Sequence, residues 1–182
     1  MKSNQKEILL TETFEGGLKY SLFSNFKNWT EAFLELVDNA VSNRIPSKSL
    51  KVEIFTSPKH FRIVNKGGYG MGLKELREFL QWGKIKERTS YDLGAYSQGG
   101  KSAMGYLGSS MIVTASKDNE MAHFKIEDDD LHDYRLKKYP VKSFNLDNLS
   151  GYVEIEVKGL RRKIKNEEIV ELIVQTYRPL VE

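Results

Sequence analysis

Trp29-Thr-Glu-Ala-Phe-Leu-Glu-Leu-Val-Asp-Asn-Ala-Val-Ser-Asn43 is the stretch on which the fold turns. Ala32, Phe33, Leu36, Val37, Ala40 and Val41 recur at helical spacing and mark a buried stripe. Pro46 closes the region. Glu35 and Asn39 stand four apart, so they project from one helix face a turn apart. They flank the apolar stripe. A carboxylate and a carboxamide at a core boundary suit a pocket floor, where the Glu polarises a water and the Asn oxygen ligates a hard cation such as Mg²⁺. An ordinary exposed helix flank carries the same pair, so the reading depends on what surrounds it.

Downstream, Lys51-Val-Glu-Ile-Phe-Thr56 alternates like a half-buried strand. Ser57-Pro-Lys-His60 is a turn, and Phe61-Arg-Ile-Val-Asn65 is a second strand. Gly67-Gly-Tyr-Gly-Met-Gly72 follows directly, then a short helix with Leu73, Leu76, Phe79 and Leu80 on one face. Glycines between a strand and a helix permit positive φ and close approach of a ligand to the backbone. Residues 83–97 are polar with little periodicity and read as a long loop of the lid kind. It ends in Ser97-Gln-Gly-Gly-Lys-Ser-Ala-Met-Gly-Tyr-Leu-Gly108. Gly-Gly-Lys-Ser opening a helix offers N–H groups, a positive dipole end and an ammonium, a combination suited to phosphate. It is not a Walker A loop, because position 95 is Ala.

Residues 111–115, 121–126 and 152–157 read as further strands. The acidic run 127–130 with Asp133 reads as a solvated turn. The last helix, 166–177, is expected to turn Ile169, Val170, Ile173 and Val174 inward. The expected class is α+β: a two-layer sandwich of a mixed, mostly antiparallel sheet covered by helices.

Composition removes several classes of function. The 182 residues contain no cysteine, so disulfide scaffolds, Cys-based zinc sites and Cys nucleophiles are excluded. The three histidines, His60, His123 and His132, form no H-x-x-x-H pair. The net charge of +3 does not announce nucleic-acid binding. No apolar run approaches the roughly 20 residues of a membrane span, and the first residues do not resemble a signal peptide. The expectation is a cytoplasmic or nuclear protein, neither secreted nor membrane-bound.

The order of the three motifs is what makes them informative. A helical E-x-x-x-N, a strand followed by G-x-G-M, and a long loop ending in a glycine-lysine turn and helix together resemble the GHKL nucleotide-binding (Bergerat) fold of gyrase, the ninety-kilodalton heat-shock chaperones, histidine kinases and MutL. The third motif is most similar to those of the MORC and SMC-hinge-domain ATPases. Glu35-Leu-Val-Asp-Asn-Ala40 resembles the first motif, Gly68-Tyr-Gly-Met71 the second, and Gly99-Gly-Lys-Ser102 through Gly108 the third. The resemblance implies Glu35 as general base, Asn39 as Mg²⁺ ligand, and Gly68, Gly70 and Met71 as the wall against the nucleotide. It implies Lys101, with the N–H groups of Gly99, Gly100 and Ser102, as the phosphate contact.

Two base-reading positions depart from the family pattern. Where D-x-G-x-G has its adenine-binding Asp, alignment on Gly68 and Gly70 puts Lys66, with Asn65 one residue away. Where a late strand has Gly-Thr, this chain has Gly151-Tyr152. Three readings stay open: Lys66 and Tyr152 read a different base, the base pocket has degenerated, or Asn65 takes the Asp role.

The function implied is an Mg²⁺-dependent switch that binds ATP or another nucleoside triphosphate, hydrolyses it, and forms a homodimer on binding through the N-terminal segment 1–28 as the lid, about 83–102, closes. The alternative is a degenerate GHKL module that acts as an interaction domain, and a kinase of the same fold is a further class. The whole of 1–182 is expected to be one domain, excised from a longer protein whose missing transducer domain would complete the γ-phosphate clamp. Slow turnover in isolation, and DNA or protein clients reached through the missing parts, follow from that expectation.

Overall fold

The Glu35 helix forms as α1, Trp29–Ser42, in the computed structural model of the chain, which describes residues 7–11, 21–82, 99–135, 137–145 and 151–178. Asn28 caps it, its side-chain oxygen accepting the Glu31 N–H at 2.9 Å. The Glu31 carboxylate in turn accepts the Lys27 N–H at 2.8 Å, a reciprocal arrangement that satisfies donors at the helix start. Ala32, Phe33, Leu36, Val37 and Ala40 are buried, as their spacing predicts, and Val41 is half-buried.

Among the described residues, seven strands follow one another as β1 (Glu7–Thr11), β2 (Lys51–Thr56), β3 (His60–Lys66), β4 (Ser110–Ser116), β5 (Ala122–Asp128), β6 (Lys138–Asn145) and β7 (Tyr152–Lys158). They form one sheet in the order β1-β6-β5-β4-β7-β3-β2. Every pairing among the described residues is antiparallel, the far end of the mostly antiparallel arrangement expected. Three further helices among the described residues are α2 (Leu73–Leu80), α3 (Gly99–Leu107) and α4 (Asn166–Tyr177). One face of the sheet meets them. Side chains alternate across a strand, so Phe61, Ile63 and Asn65 of β3 share the helix side, where the Phe33 and Phe61 rings meet edge to face at 5.7 Å. Register carries that side across Val153, Ile155 and Val157 of β7 and Met111, Val113 and Ala115 of β4, all buried.

Strands β1 and β6 were not legible in the sequence. Pro140 interrupts β6, and a proline usually demotes a strand. Here the register to β5 spans only Lys142 to Asn145, so Pro140 lies beyond that ladder and faces Leu9 of β1 alone. The N-terminal segment is therefore partly structural: β1 forms the sheet edge, and Phe23 is buried in the core.

Two further expectations are corrected. In α4, Ile169 and Tyr177 are buried, but Val170 and Val174 are 61% and 52% exposed. The acidic run is not all solvated: Asp128 is buried and accepts from Tyr139 Oη at 2.9 Å, Lys137 Nζ at 2.7 Å and the Asp130 N–H at 3.0 Å. Of the expected lid, 83–98 lies outside the described residues, and Gly99–Ser102 are the first turn of α3. Among the described residues no helix is long and apolar enough to cross a membrane.

Candidate functional site

Glu35 and Asn39 share one face of α1, as spaced. Asn39 Nδ2 donates to Glu35 Oε1 at 3.0 Å and to the Glu35 carbonyl at 2.6 Å. This fixes the carboxylate's orientation and leaves the Asn39 amide oxygen for another partner. Burial pushes the Glu35 carboxyl above its usual range; the Asn39 bond pulls it down and the nearby Asp38 charge pushes it up. A raised carboxyl is a better proton acceptor near neutral pH.

The first turn of α3 lies directly on this pair. A Cβ on Gly99 would overlap Glu35 Oε1, and one on Gly100 would sit 3.5 Å from Asn39 Nδ2. Only glycine lets the backbone approach a carboxylate this closely. The first N–H groups of a helix have no intrahelical acceptor, so α3 presents its positive end beside Glu35 and Asn39.

The glycine turn after β3 is pinned at the other end of α1. Asn43 Oδ1 accepts the Gly70 N–H at 2.8 Å, and the Asn43 carbonyl accepts the Tyr69 N–H at 2.8 Å. Gly67 and Gly68 donate to the Gly151 carbonyl, Met71 to the Ser116 carbonyl, and Gly72 to Glu75 Oε2. Each N–H from Gly67 to Gly72 is thus engaged internally, so the turn offers a ligand shape rather than donors. Gly70 has φ +65°, and a Cβ there would overlap the Ser116 carbonyl oxygen. Sequence reasoning missed Asn43, although 35, 39 and 43 form an i, i+4, i+8 row that pointed to it.

Asn65 is 2% exposed on the helix side of β3. Its Nδ2 donates to the Ala40 carbonyl at 3.2 Å, and its Oδ1 is buried without a hydrogen-bond partner among the described residues. The register explains this: its neighbours across the ladders are Val52 and Val153, neither of which has a side-chain donor. Ser102 Oγ, in the first turn of α3, is likewise buried without a partner among the described residues.

Three expected site residues are placed elsewhere. Lys66 is adjacent to Asn65 and so faces the other side of the sheet, 3.0 Å from Glu53 Oε2. Tyr152 is paired with Lys66 and shares that far side, its hydroxyl donating to Glu154 and its ring 6.0 Å from His123. Lys101 is 3% exposed, with its ammonium donating to the Gln81 carbonyl at 3.0 Å and lying 3.9 Å from the Trp82 ring centre. The sequence placed these by motif alignment, which is blind to which face a strand or helix position takes.

A family model described as histidine kinase-, DNA gyrase B- and HSP90-like ATPase matches residues 27–154. That is well over half the chain, and the chain belongs to this family. Among solved structures, the ATPase region of Saccharomyces cerevisiae topoisomerase II superposes with a TM-score of 0.59 at 16% identity, covering 81% of this chain and 43% of that one. The likeness is one of fold, and the chain spans less than half of that structure. A comparison with curated proteins finds none that matches.

Proposed function

We propose that this domain binds an adenine nucleoside triphosphate with Mg²⁺ and hydrolyses it, with Glu35 as the base that takes a proton from the attacking water. The observation that carries the reading is the seating of the α3 first turn on Glu35 and Asn39. It joins a base, an amide oxygen and a row of helix N-terminal donors, the parts that phosphoryl transfer needs for positioning and charge stabilisation. The α3 N–H groups bind the phosphates. The buried Asn65 Oδ1 accepts from the adenine amino group, a role open to an amide oxygen and closed to the donor-only Lys66.

The residues fit Mg²⁺ of the substrate-borne kind. No group of three or more His, Cys, Asp or Glu side chains suitable for a metal occurs among the described residues. Mg²⁺ at such sites is held by few protein ligands together with phosphate oxygens and water. Asn39 would be the protein ligand, and the ion would supply neutralisation of phosphate charge. Dimerisation on nucleotide binding belongs to the same reading: β1 is an edge strand with Leu9 59% exposed, and an edge strand is open to pairing with another chain.

The test is thermal stability with ATP, GTP, CTP and UTP, each with and without Mg²⁺, followed by phosphate release and light scattering. A ligand at 100 times its dissociation constant stabilises by about 2.7 kcal/mol. A Mg²⁺-dependent shift with ATP, turnover lost in Glu35→Ala with binding kept, and an ATP-dependent rise in mass are expected. No shift with any nucleotide would overturn the reading.

A further inference from the structure

Lys101 is buried, and its ammonium contacts the end of α2 rather than Glu35 or Asn39. Successive helix positions turn by about 100°, so Lys101 leaves α3 on the side opposite Gly99, which faces Glu35. Its ammonium reaches the end of α2: the Gln81 carbonyl at 3.0 Å, the Trp82 ring at 3.9 Å and the Phe79 ring at 5.8 Å. Trp82 is itself held, 8% exposed, with the Phe23 ring 6.0 Å away. Phe23 in turn packs onto Gly105, where a Cβ would overlap its ring. Phe23, Trp82, Lys101 and Gly105 thus make one packed stack beneath α3.

We propose that Lys101 is a positioning residue: it ties the first turn of α3 to Gln81 and Trp82, so that the Gly99 and Gly100 backbone stays seated on Glu35 and Asn39, and it does not itself bind phosphate. The proposal rests on the nucleotide reading for its functional consequence. A desolvated cation over an aromatic face, with a carbonyl hydrogen bond, is a strong local tie. The carbonyl bond and the ring contact both hold the ammonium at the end of α2. Trp82 and Gly99 also flank residues 83–98, so this one side chain joins the two ends of that segment.

The test uses Trp29→Phe as background, which leaves Trp82 as the sole tryptophan of the chain's two. Lys101→Met is expected to weaken Mg-ATP binding about tenfold, within the range for contacting residues. Lys101→Arg, which keeps the charge, the carbonyl donor and the ring contact, restores it. Trp82→Leu weakens binding to a similar degree, and the double variant is no worse than either single one. Saturating ATP leaves Trp82 emission unchanged. A shift of Trp82 emission with ATP, together with losses from Lys101→Met and Trp82→Leu that multiply, would show the ammonium moving to phosphate and overturn the proposal. Should the parent bind no nucleotide, the nucleotide reading falls alone. Amide exchange of residues 103–107 then decides: faster in Lys101→Met and restored in Lys101→Arg supports the tie, unchanged exchange in both overturns it.

Discussion

Asn65 donates from Nδ2 to the carbonyl of Ala40 at 3.2 Å, and that bond decides which end of the amide faces the interior of the site. A carboxylate at this position has no donor to offer Ala40. Asn65→Asp is therefore expected to lose about 1–3 kcal/mol of stability at neutral pH, the cost of an unmet buried acceptor. The introduced carboxyl would have a raised folded pKa, so the loss is present above that pKa and fades as pH falls through it, when the protonated oxygen can donate to Ala40. Urea unfolding at two pH values measures this. Asn65→Leu is expected to weaken ATP roughly tenfold while changing inosine triphosphate little, because only the 6-amino base offers the donor that Oδ1 accepts. Equal losses for both bases would remove Asn65 from base reading.

Glu35 combines a raised carboxyl with the proposed role of base. A carboxyl whose folded pKa exceeds its unfolded value favours the folded state fully below the unfolded pKa, and that advantage is lost as pH rises through the folded pKa. Above its folded pKa the half-buried Glu35 carboxylate is thus a stability cost. Glu35→Gln should raise the melting temperature at pH 7, and the gain should vanish below about pH 4, the ordinary carboxyl range. The same variant should abolish turnover. Melting curves from pH 4 to 8 beside phosphate release decide it: a variant less stable at pH 7 refutes the burial argument, and one that still hydrolyses refutes the base.

The sequence was most informative where a period and a spacing coincide. The row Glu35, Asn39 on α1 and the glycines of the two turns needed only a 3.6-residue repeat and a count; Gly99 and Gly100 meet Glu35 and Asn39, and Gly68 and Gly70 meet Asn43 further along the same helix. What a one-dimensional pattern leaves out is the parity of a strand. Lys66 and Asn65 differ by one position, and one position is the difference between the far side of the sheet and the buried side under Ala40. Motif alignment favoured Lys66; the pleat of β3 favours Asn65. Lys101 is the helical version of the same point, two residues from Gly99 and on the opposite side of α3. In β6, Pro140 counts against a strand on propensity, and the short β5–β6 register removes the conflict. In α4, Val170 and Val174 stand about 100° and 140° around the helix from Ile169, so both lie outside the buried side.

Tyr177 of α4 donates its hydroxyl to Asp38 of α1, one turn from Glu35. Burial and the Asp38 carboxylate hold the Tyr177 hydroxyl well above the usual phenol range. Alkaline titration followed by tyrosinate absorbance should show Tyr177 and Tyr152, the latter raised by burial and its bond to Glu154, ionising only as the protein unfolds, and Tyr177→Phe should remove one of the two. That variant should cost about 1–3 kcal/mol, the value of a hydrogen bond to a charged group. Unchanged unfolding would mean that the Tyr177–Asp38 bond does not help to hold α4.

Gly70 and Gly99 are both intolerant of a methyl group, for different reasons, and alanine at each should separate fold from function. At Gly70 the backbone has φ +65° and the Cβ would overlap a backbone oxygen, that of Ser116. Neither the strained dihedral nor the strand can yield cheaply. Gly70→Ala should therefore destabilise the whole domain by several kcal/mol, on the order of the most disruptive single substitutions. At Gly99 the obstacle is the tip of a side chain, Glu35 Oε1. The carboxylate can rotate away, at the expense of its bond from Asn39, so Gly99→Ala should lose only about 1 kcal/mol of stability, the value of one such bond. Its turnover should nonetheless fall at least tenfold, because a base displaced by about an ångström loses its alignment with the attacking water. Paired denaturation and turnover measurements on the two variants make the comparison. A Gly99→Ala protein as unstable as Gly70→Ala would place the contact with Glu35 in the fold rather than in the chemistry.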